Sequence, residues 1–292
     1  MIKPFLLIFG TLLSFSQANV FGQTFEKVFF TKQYLSLYEG ALVKVDSTHS
    51  NGFTSRFFYK FEDALNDKVG QVAFTTGSNR VSERELMKGK VFRVHKLLNI
   101  EGNKPSVEFL KIILNDKIIF HLVDTLSKDS VYFVHNANDN WTDFPFLTSK
   151  LNPLAFQQFI EKEVDDFDGG IRFTHPNANR FYLMKIQTNG KAAYYLRLEA
   201  DGLTPNISIK GVTLLFTDGS VMKKPLVDID TDVKHDGSGY VYSTFMTLSI
   251  DEVRQLGKKP IKKYRLYVYD EQIGIEDAVL LTGFANALLK AK

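Results

Sequence analysis

Asp228, Asp230 and Asp232 stand at alternate positions within residues 227–233. In an extended strand alternate side chains share a face, so three carboxylates would project together. Hard cations such as calcium take oxygen donors of that kind. The surroundings do not complete an EF-hand loop, because Val233 and Gly239 stand where glycine and glutamate are needed. The same spacing suits an edge strand with a solvated acidic face, since Val227, Ile229, Thr231 and Val233 make the other face. No cofactor is expected unless these three acids hold calcium.

A second candidate is the stretch from His135 to Phe144, where the only Trp of the chain, Trp141, sits among Asn138, Asn140 and Asp143. A sugar site needs that mixture: an aromatic face for the ring's C–H surface and forked hydrogen-bonding groups for its hydroxyls. Alternatively, Trp141, Phe144 and Phe146 pin a loop to the core while the amides make turns. The third candidate is a pair of strand faces. If Tyr194, Leu196 and Leu198 point inward, Tyr195 and Arg197 point outward. If Tyr264, Leu266 and Val268 point inward, Arg265, Tyr267 and Tyr269 point outward. Tyr and Arg together are enriched at binding hot spots.

Catalytic chemistry has no comparable signal, and no catalytic residue is assigned. The six histidines are His49, His95, His121, His135, His175 and His235, and no two stand at i, i+2 or i, i+4 spacing. Only His95 and His121 are placed to meet across strands. The chain has no Gly-x-Ser-x-Gly, His-Glu-x-x-His, P-loop or Gly-x-Gly-x-x-Gly motif. Carboxylate pairs for glycoside hydrolysis are defined by their separation in space and leave no linear signature. With no cysteine, thiolate nucleophiles, cysteine-ligated zinc and disulfides are excluded.

The elements that must position these residues are mostly strands. The chain holds 26 Phe and 12 Tyr, residues that fit a pleated, half-buried surface. In the first half, residues 41–46, 53–61, 69–75, 90–100, 106–114, 118–123 and 131–134 read as strands. Their connections are too short for parallel crossovers. An antiparallel β-barrel or sandwich-like domain over residues 24–150 follows. Ser82 and Glu85 predict a capping box on a short helix closed by Gly89. Asn152-Pro153 predicts a helix start, with Leu154, Phe156, Phe159, Ile160 and Val164 as its apolar stripe. With Asp165, Asp166 and Asp168 behind it, this makes residues 151–168 a linking helix and linker.

Residues 169–292 predict a C-terminal β-sandwich with short helices and a C-terminal helix. Asn189-Gly190 and Asp218-Gly219 are hairpin signals between alternating strands. Ser249 and Glu252 predict a capped helix, and residues 263–269 a last strand. Leu280, Leu281, Phe284 and Leu288 stripe a final helix, which Gly283 weakens by roughly 1 kcal/mol relative to Ala.

The first 23 residues predict an export signal: Lys3, an apolar run over residues 5–15 too short to span a bilayer, then small residues that offer cleavage after Ala18 or Gly22. No later apolar run reaches membrane-spanning length. The charge of +3 is spread without a basic stripe, which argues against a nucleic-acid partner. The stretches Lys210-Gly211-Val212 through Phe216-Thr217-Asp218-Gly219, Gly237-Ser238-Gly239-Tyr240 and Ile261-Lys262-Lys263-Tyr264-Arg265-Leu266-Tyr267 resemble exported β-rich proteins of Bacteroidetes. The resemblance covers the C-terminal half and implies fold and export but no activity. The expected function is a periplasmic or secreted binding module for a glycan or an envelope protein. The competing expectation is an exported, glycan-directed hydrolase with scattered carboxylates, using calcium or not.

Overall fold

The computed structural model describes residues 25–28, 30, 32–46, 55–66, 68, 70–77, 80–98, 117–136, 144–149, 151–167, 169–176, 181–205 and 211–292. The predicted signal, the predicted strand over residues 106–114, and Asn138, Asn140, Trp141 and Asp143 lie outside these residues. The protein is mainly β, with three antiparallel sheets and a few helices.

The first sheet holds β1 (Phe25–Glu26), β2 (Leu42–Val45), β3 (Phe57–Phe58), β4 (Val91–Leu98), β5 (Lys117–Asp124), β6 (Ser130–Asn136) and β7 (Phe146–Ser149). Their order is β1-β7-β2-β4-β5-β6-β3. The sheet is open, with β1 and β3 as edges, so it does not close into a barrel. Its inner face is aromatic: Phe57, Phe92, Phe120, Phe133 and Phe146 are buried, and Phe120 with Phe144, just before β7, meets the ring of Tyr38. Rings such as Phe57 and Phe133 meet at 5.0 Å, and Phe133 and Phe146 at 5.1 Å edge to face. The Tyr38 hydroxyl donates to the Val28 carbonyl at 2.9 Å and accepts from the Phe30 amide at 3.1 Å. That satisfies a polar atom inside an apolar core.

Three local expectations fail here. Among the described residues, the 53–61 strand is Phe57–Phe58, followed by helix α1 (Phe61–Leu65), and residues 69–75 contribute one bridge, Val72 to Phe58. Ser82 does not cap helix α2 (Arg84–Met87). It is buried, donates to the Ala73 carbonyl at 2.7 Å and accepts from the Phe57 amide at 3.0 Å. A long-range tie between two chain segments replaces the local cap, and Glu83 instead accepts from the Thr76 amide at 2.7 Å.

The second sheet holds β8 (Glu161–Val164), β9 (Ile171–Thr174), β10 (Phe181–Thr188), β11 (Lys191–Gly202), β14 (Asp230–Val233) and β15 (Tyr240–Leu248), in the order β14-β15-β11-β10-β9-β8. The third holds β12 (Val212–Phe216), β13 (Val221–Lys224), β16 (Ile261–Leu266) and β17 (Tyr269–Gln272), in the order β13-β12-β16-β17. Leu196, Leu198, Tyr242 and Met246 of the second sheet share one core with Leu214, Phe216, Tyr264 and Leu266 of the third. The outer faces of the two sheets therefore point in opposite directions. At Asn189-Gly190 both φ angles are positive, +52° and +77°. That is the backbone of the tight turn Asn-Gly favours.

Helix α3 (Ile250–Leu256) carries the expected capping box. Ser249 Oγ accepts from the Glu252 amide at 3.2 Å, and Glu252 accepts from the Ser249 amide at 2.7 Å. Helix α4 (Ile275–Lys290) buries Leu280, Leu281, Phe284 and Leu288. Gly283 is more than a weak point in it: a Cβ there would lie 2.1 Å from the Phe156 ring. Phe156 belongs to the 3-10 helix Pro153–Phe159, whose start is capped by Asn152 as expected. That helix is shorter and tighter than expected, because residues 161–164 leave it to pair with β9 as β8. Leu154 is consequently exposed and Phe156 alone of the expected stripe is fully buried. The Tyr34 ring touches Phe159 and Phe284, and Gln158 reaches Ser36 at 3.2 Å. Apolar residues from before and after Pro153 thus lie in one continuous core.

Candidate functional site

Strand parity and register build one open surface, the outer face of the second sheet. In β11, Tyr194, Leu196 and Leu198 are buried, so Tyr195, Arg197 and Glu199 face out. Register adds Tyr182 beside Arg197 and Met184 beside Tyr195 on β10. On the other side it adds Thr247 beside Tyr195, Phe245 beside Arg197 and Ser243 beside Glu199 on β15. The Tyr195 and Phe245 rings stack in parallel, 5.1 Å apart and 6° from coplanar. Phe245 nevertheless remains 51% exposed. Arg197 pairs with Glu199 at 2.5 Å, and both remain partly exposed. An exposed ion pair of this kind adds little stability and keeps its guanidinium available at the surface.

The other expected members are not brought to this face. Arg265 lies on the third sheet, on the opposite side of the sandwich, where Nη2 meets Asp270 at 2.9 Å. That pairing raises Arg265 and holds the Asp270 carboxyl down at about 2, chiefly through the bonds from Arg265 and Lys263. Residues 263–269 are not one strand. Leu266 pairs with Tyr269, so Tyr267 and Val268 form a two-residue turn and the alternation restarts in β17. Tyr269 then turns to Tyr242, ring to ring at 4.7 Å. A single strand gave Arg265, Tyr267 and Tyr269 one face; the turn between them removes it.

Of the three aspartates, two lie in a strand. Asp228 precedes β14, where its carbonyl accepts from Thr244 Oγ1 at 2.9 Å. Asp230 and Asp232 are exposed on β14, an edge strand, and share the outer face with Ser243 and Val241. Among the described residues no group of three His, Cys, Asp or Glu side chains is placed to hold a metal ion. Beside β14 an open groove of about 530 Å³ is lined by Asp232, Val233, Lys234, His235, Asp236 and Val241. Trp141, Asn138, Asn140 and Asp143 lie outside the described residues, but both neighbours of that stretch are anchored. His135 and Phe144 are buried, with ring centroids 5.6 Å apart.

His95 and His121 do meet, at 4.9 Å between rings. The β4–β5 register slips between Val94 and Lys96, so His95 is the bulged residue. Desolvation, then the nearby His95, lowers the His121 pKa. His175, one of the six histidines without a neighbour at ligand spacing, has a structural place in the fold. It is buried, lies flat on Phe284 at 4.3 Å, and accepts from the Leu183 amide through Nε2 at 3.0 Å. Its Nδ1 faces the Pro176 carbonyl at 2.7 Å and must donate to it, so both ring nitrogens are committed in the neutral form. Burial holds its pKa down at about 4. Lys185, also buried, donates to the Ala291 carbonyl at 2.6 Å and lies 5.0 Å over Phe173. These two polar side chains fasten α4 to the second sheet. Phe245, His175 and Lys185 all needed the fold: in β15 Phe245 and Met246 are adjacent apolar residues, and only the burial of Tyr242, Thr244, Met246 and Leu248 turns Phe245 outward.

Among the described residues no helix is long and apolar enough to cross a membrane. No family model, no curated protein and no solved structure matches this chain. Fold and surface define the class: a mainly β protein with three open antiparallel sheets and an aromatic, charged outer face on the second.

Proposed function

We propose that this chain is an exported binding module that meets a partner protein through the outer face of β10, β11 and β15. One observation carries this: the Tyr195–Phe245 stack, with Phe245 half exposed beside Arg197, on a sheet whose central strands bury Leu183, Leu196, Leu198, Tyr242 and Met246 on the other side. Tyr, Phe, Met and Arg are the types that dominate protein interfaces. Export follows from the character of the first 23 residues and from the resemblance to exported Bacteroidetes proteins.

The competing hydrolase would need a carboxyl kept protonated near neutral pH. Asp277 is the described carboxyl pushed upward, by burial, at the start of α4. An Asp277→Asn variant that lost a measurable glycan-cleaving activity would favour the enzyme. The binding face is tested with a photo-reactive residue at Thr247 in cells that make the protein, against the same residue at Val221 on the opposite sheet. A discrete cross-linked partner is expected from position 247 alone, abolished by Arg197→Glu. Equal cross-linking at both positions removes the assignment. N-terminal sequencing of the mature protein tests export, with a start just after Ala18 or Gly22 expected.

A further inference from the structure

We propose that the end of the sandwich carrying Leu203, Leu226, Val233 and Val268 docks on the surface of a zwitterionic lipid bilayer. This surface lies at the strand ends, apart from the outer face assigned to a partner protein, and does not rest on that assignment. The four side chains are 82%, 86%, 68% and 55% exposed. Scattered exposed apolar residues are ordinary, but convergence at one place is not.

Register and hydrogen bonds show the convergence. In the third sheet Lys224, Val212 and Leu266 lie side by side, so Leu226 and Val268, each two residues further on, project from the same end. In the second sheet Gly202, Tyr240 and Val233 lie side by side, so Leu203 joins Val233 there. Tyr269 ties the two ends together. A Cβ on Gly202 would lie 2.7 Å from its ring, and its hydroxyl donates to the Thr204 carbonyl at 3.1 Å. The Tyr267 amide donates to Gly211 at 3.2 Å, and the Gly211 amide to Val227 at 2.9 Å. The apolar tips thus stand on a braced platform.

The turn chemistry points the same way. Tyr267 has φ +58° at the first position of a two-residue turn. Glycine suits that place, and a tyrosine there is strained. The hairpin accepts this strain and presents an amphipathic ring and an exposed valine. Tyrosine is suited to a boundary that is apolar on one side and wet on the other.

Charge selects the kind of surface. Lys224 faces Glu252 at 2.9 Å, Lys234 faces Asp201 at 3.3 Å, and Arg265 faces Asp270. Lys223 and His235 stand here too, but so do Asp228, Asp230, Asp232 and Asp236, so among the described residues this end has no surplus of cations to draw anionic headgroups. Protein hot spots sit in well-packed, complementary pockets. Three separate tips, Leu203, Leu226 and Val268, with Val233 exposed on the last pair of β14 beside the polar turn 234–239, suit a yielding medium, into which apolar side chains sink to the headgroup boundary.

The test is co-sedimentation of the full chain with vesicles of phosphatidylethanolamine and phosphatidylcholine. The wild type is expected in the pellet, with partitioning reduced at least about tenfold in Leu203→Ser/Leu226→Ser/Val268→Ser. Phe245→Ser is expected to sediment like the wild type, which separates this surface from the sheet face. Tyr267→Gly is expected to weaken sedimentation while its melting temperature holds or rises, a combination that a purely structural tyrosine would not give. The proposal is overturned if the wild type stays in the supernatant, or if the triple variant, shown by its melting curve to be folded, sediments equally. Sedimentation seen only with phosphatidylglycerol and abolished by salt overturns it as well.

Discussion

The two ends of the second-half sandwich reverse their chains in opposite ways. At one end, Asn189-Gly190 turns β10 into β11 with the residues that the geometry prefers, both exposed and polar or small. At the other, Tyr267-Val268 turns β16 into β17 with residues that the geometry disfavours, and Leu203, Leu226 and Val233 stand exposed beside it. Turn formation alone explains the first end. At the second the local backbone preference has been overruled, and places where local rules are broken without structural gain are where function is expected.

The largest expected effect lies between the two ends, where α4 seals the sheet over His175. Burial lowers its pKa from the ordinary histidine value of 6.5 to about 4 in the folded protein, so folding disfavours the charged form. The associated stability is complete above pH 6.5 and is lost as the pH falls toward 4, by about 3 kcal/mol. Urea unfolding at neutral pH and near pH 4 should show this drop, reduced in His175→Gln. An equal drop in the variant would transfer the acid sensitivity to other groups.

Next comes the braced end. In Gly202→Ala the new Cβ would stand 2.5 Å from the Tyr242 ring and 2.7 Å from that of Tyr269. Two packed rings must shift, which should cost roughly 2 kcal/mol in denaturant unfolding. No loss would mean that this end is looser than its contacts indicate. At the other end, Gly190→Ala meets nothing within 4 Å and acts only through its φ of +77°. A loss of about 1 kcal/mol is expected there. The contrast between these two alanines separates steric bracing from backbone preference.

The smallest effect has the opposite sign. Tyr267→Gly should raise stability by up to about 1 kcal/mol, by removing a left-handed tyrosine. A clear loss instead would show that the Tyr267 ring contributes to packing, and the contrast between the two ends would narrow to composition.

Much of the architecture was legible in the residues. Antiparallel pairing followed from short connections, and the Asn189-Gly190 hairpin, the Ser249–Glu252 cap and the final helix were marked by local chemistry. Where the sequence misled, a distant partner had replaced a local one. Ser82 bonds to Ala73 and Phe57 rather than to its own helix, and residues 161–164 leave a helix to pair with β9. Gly283 reads as a helix defect along the chain and as room for Phe156 in space. Of the expected site residues, Tyr195 and Arg197 share a face, because an unbroken strand preserves alternation. Arg265, Tyr267 and Tyr269 do not, because an unmarked turn resets it.

By itself the sequence determined that the chain is mainly extended, where the well-marked turns fall and which side of each unbroken strand is apolar. Those properties depend on residues within a few positions of one another. Tertiary structure alone decided which outer faces coincide, which glycines are needed for space, and that His175 and Lys185 are buried against α4. These depend on what arrives from far along the chain, and a side chain's neighbours in space are not encoded in its neighbours in sequence.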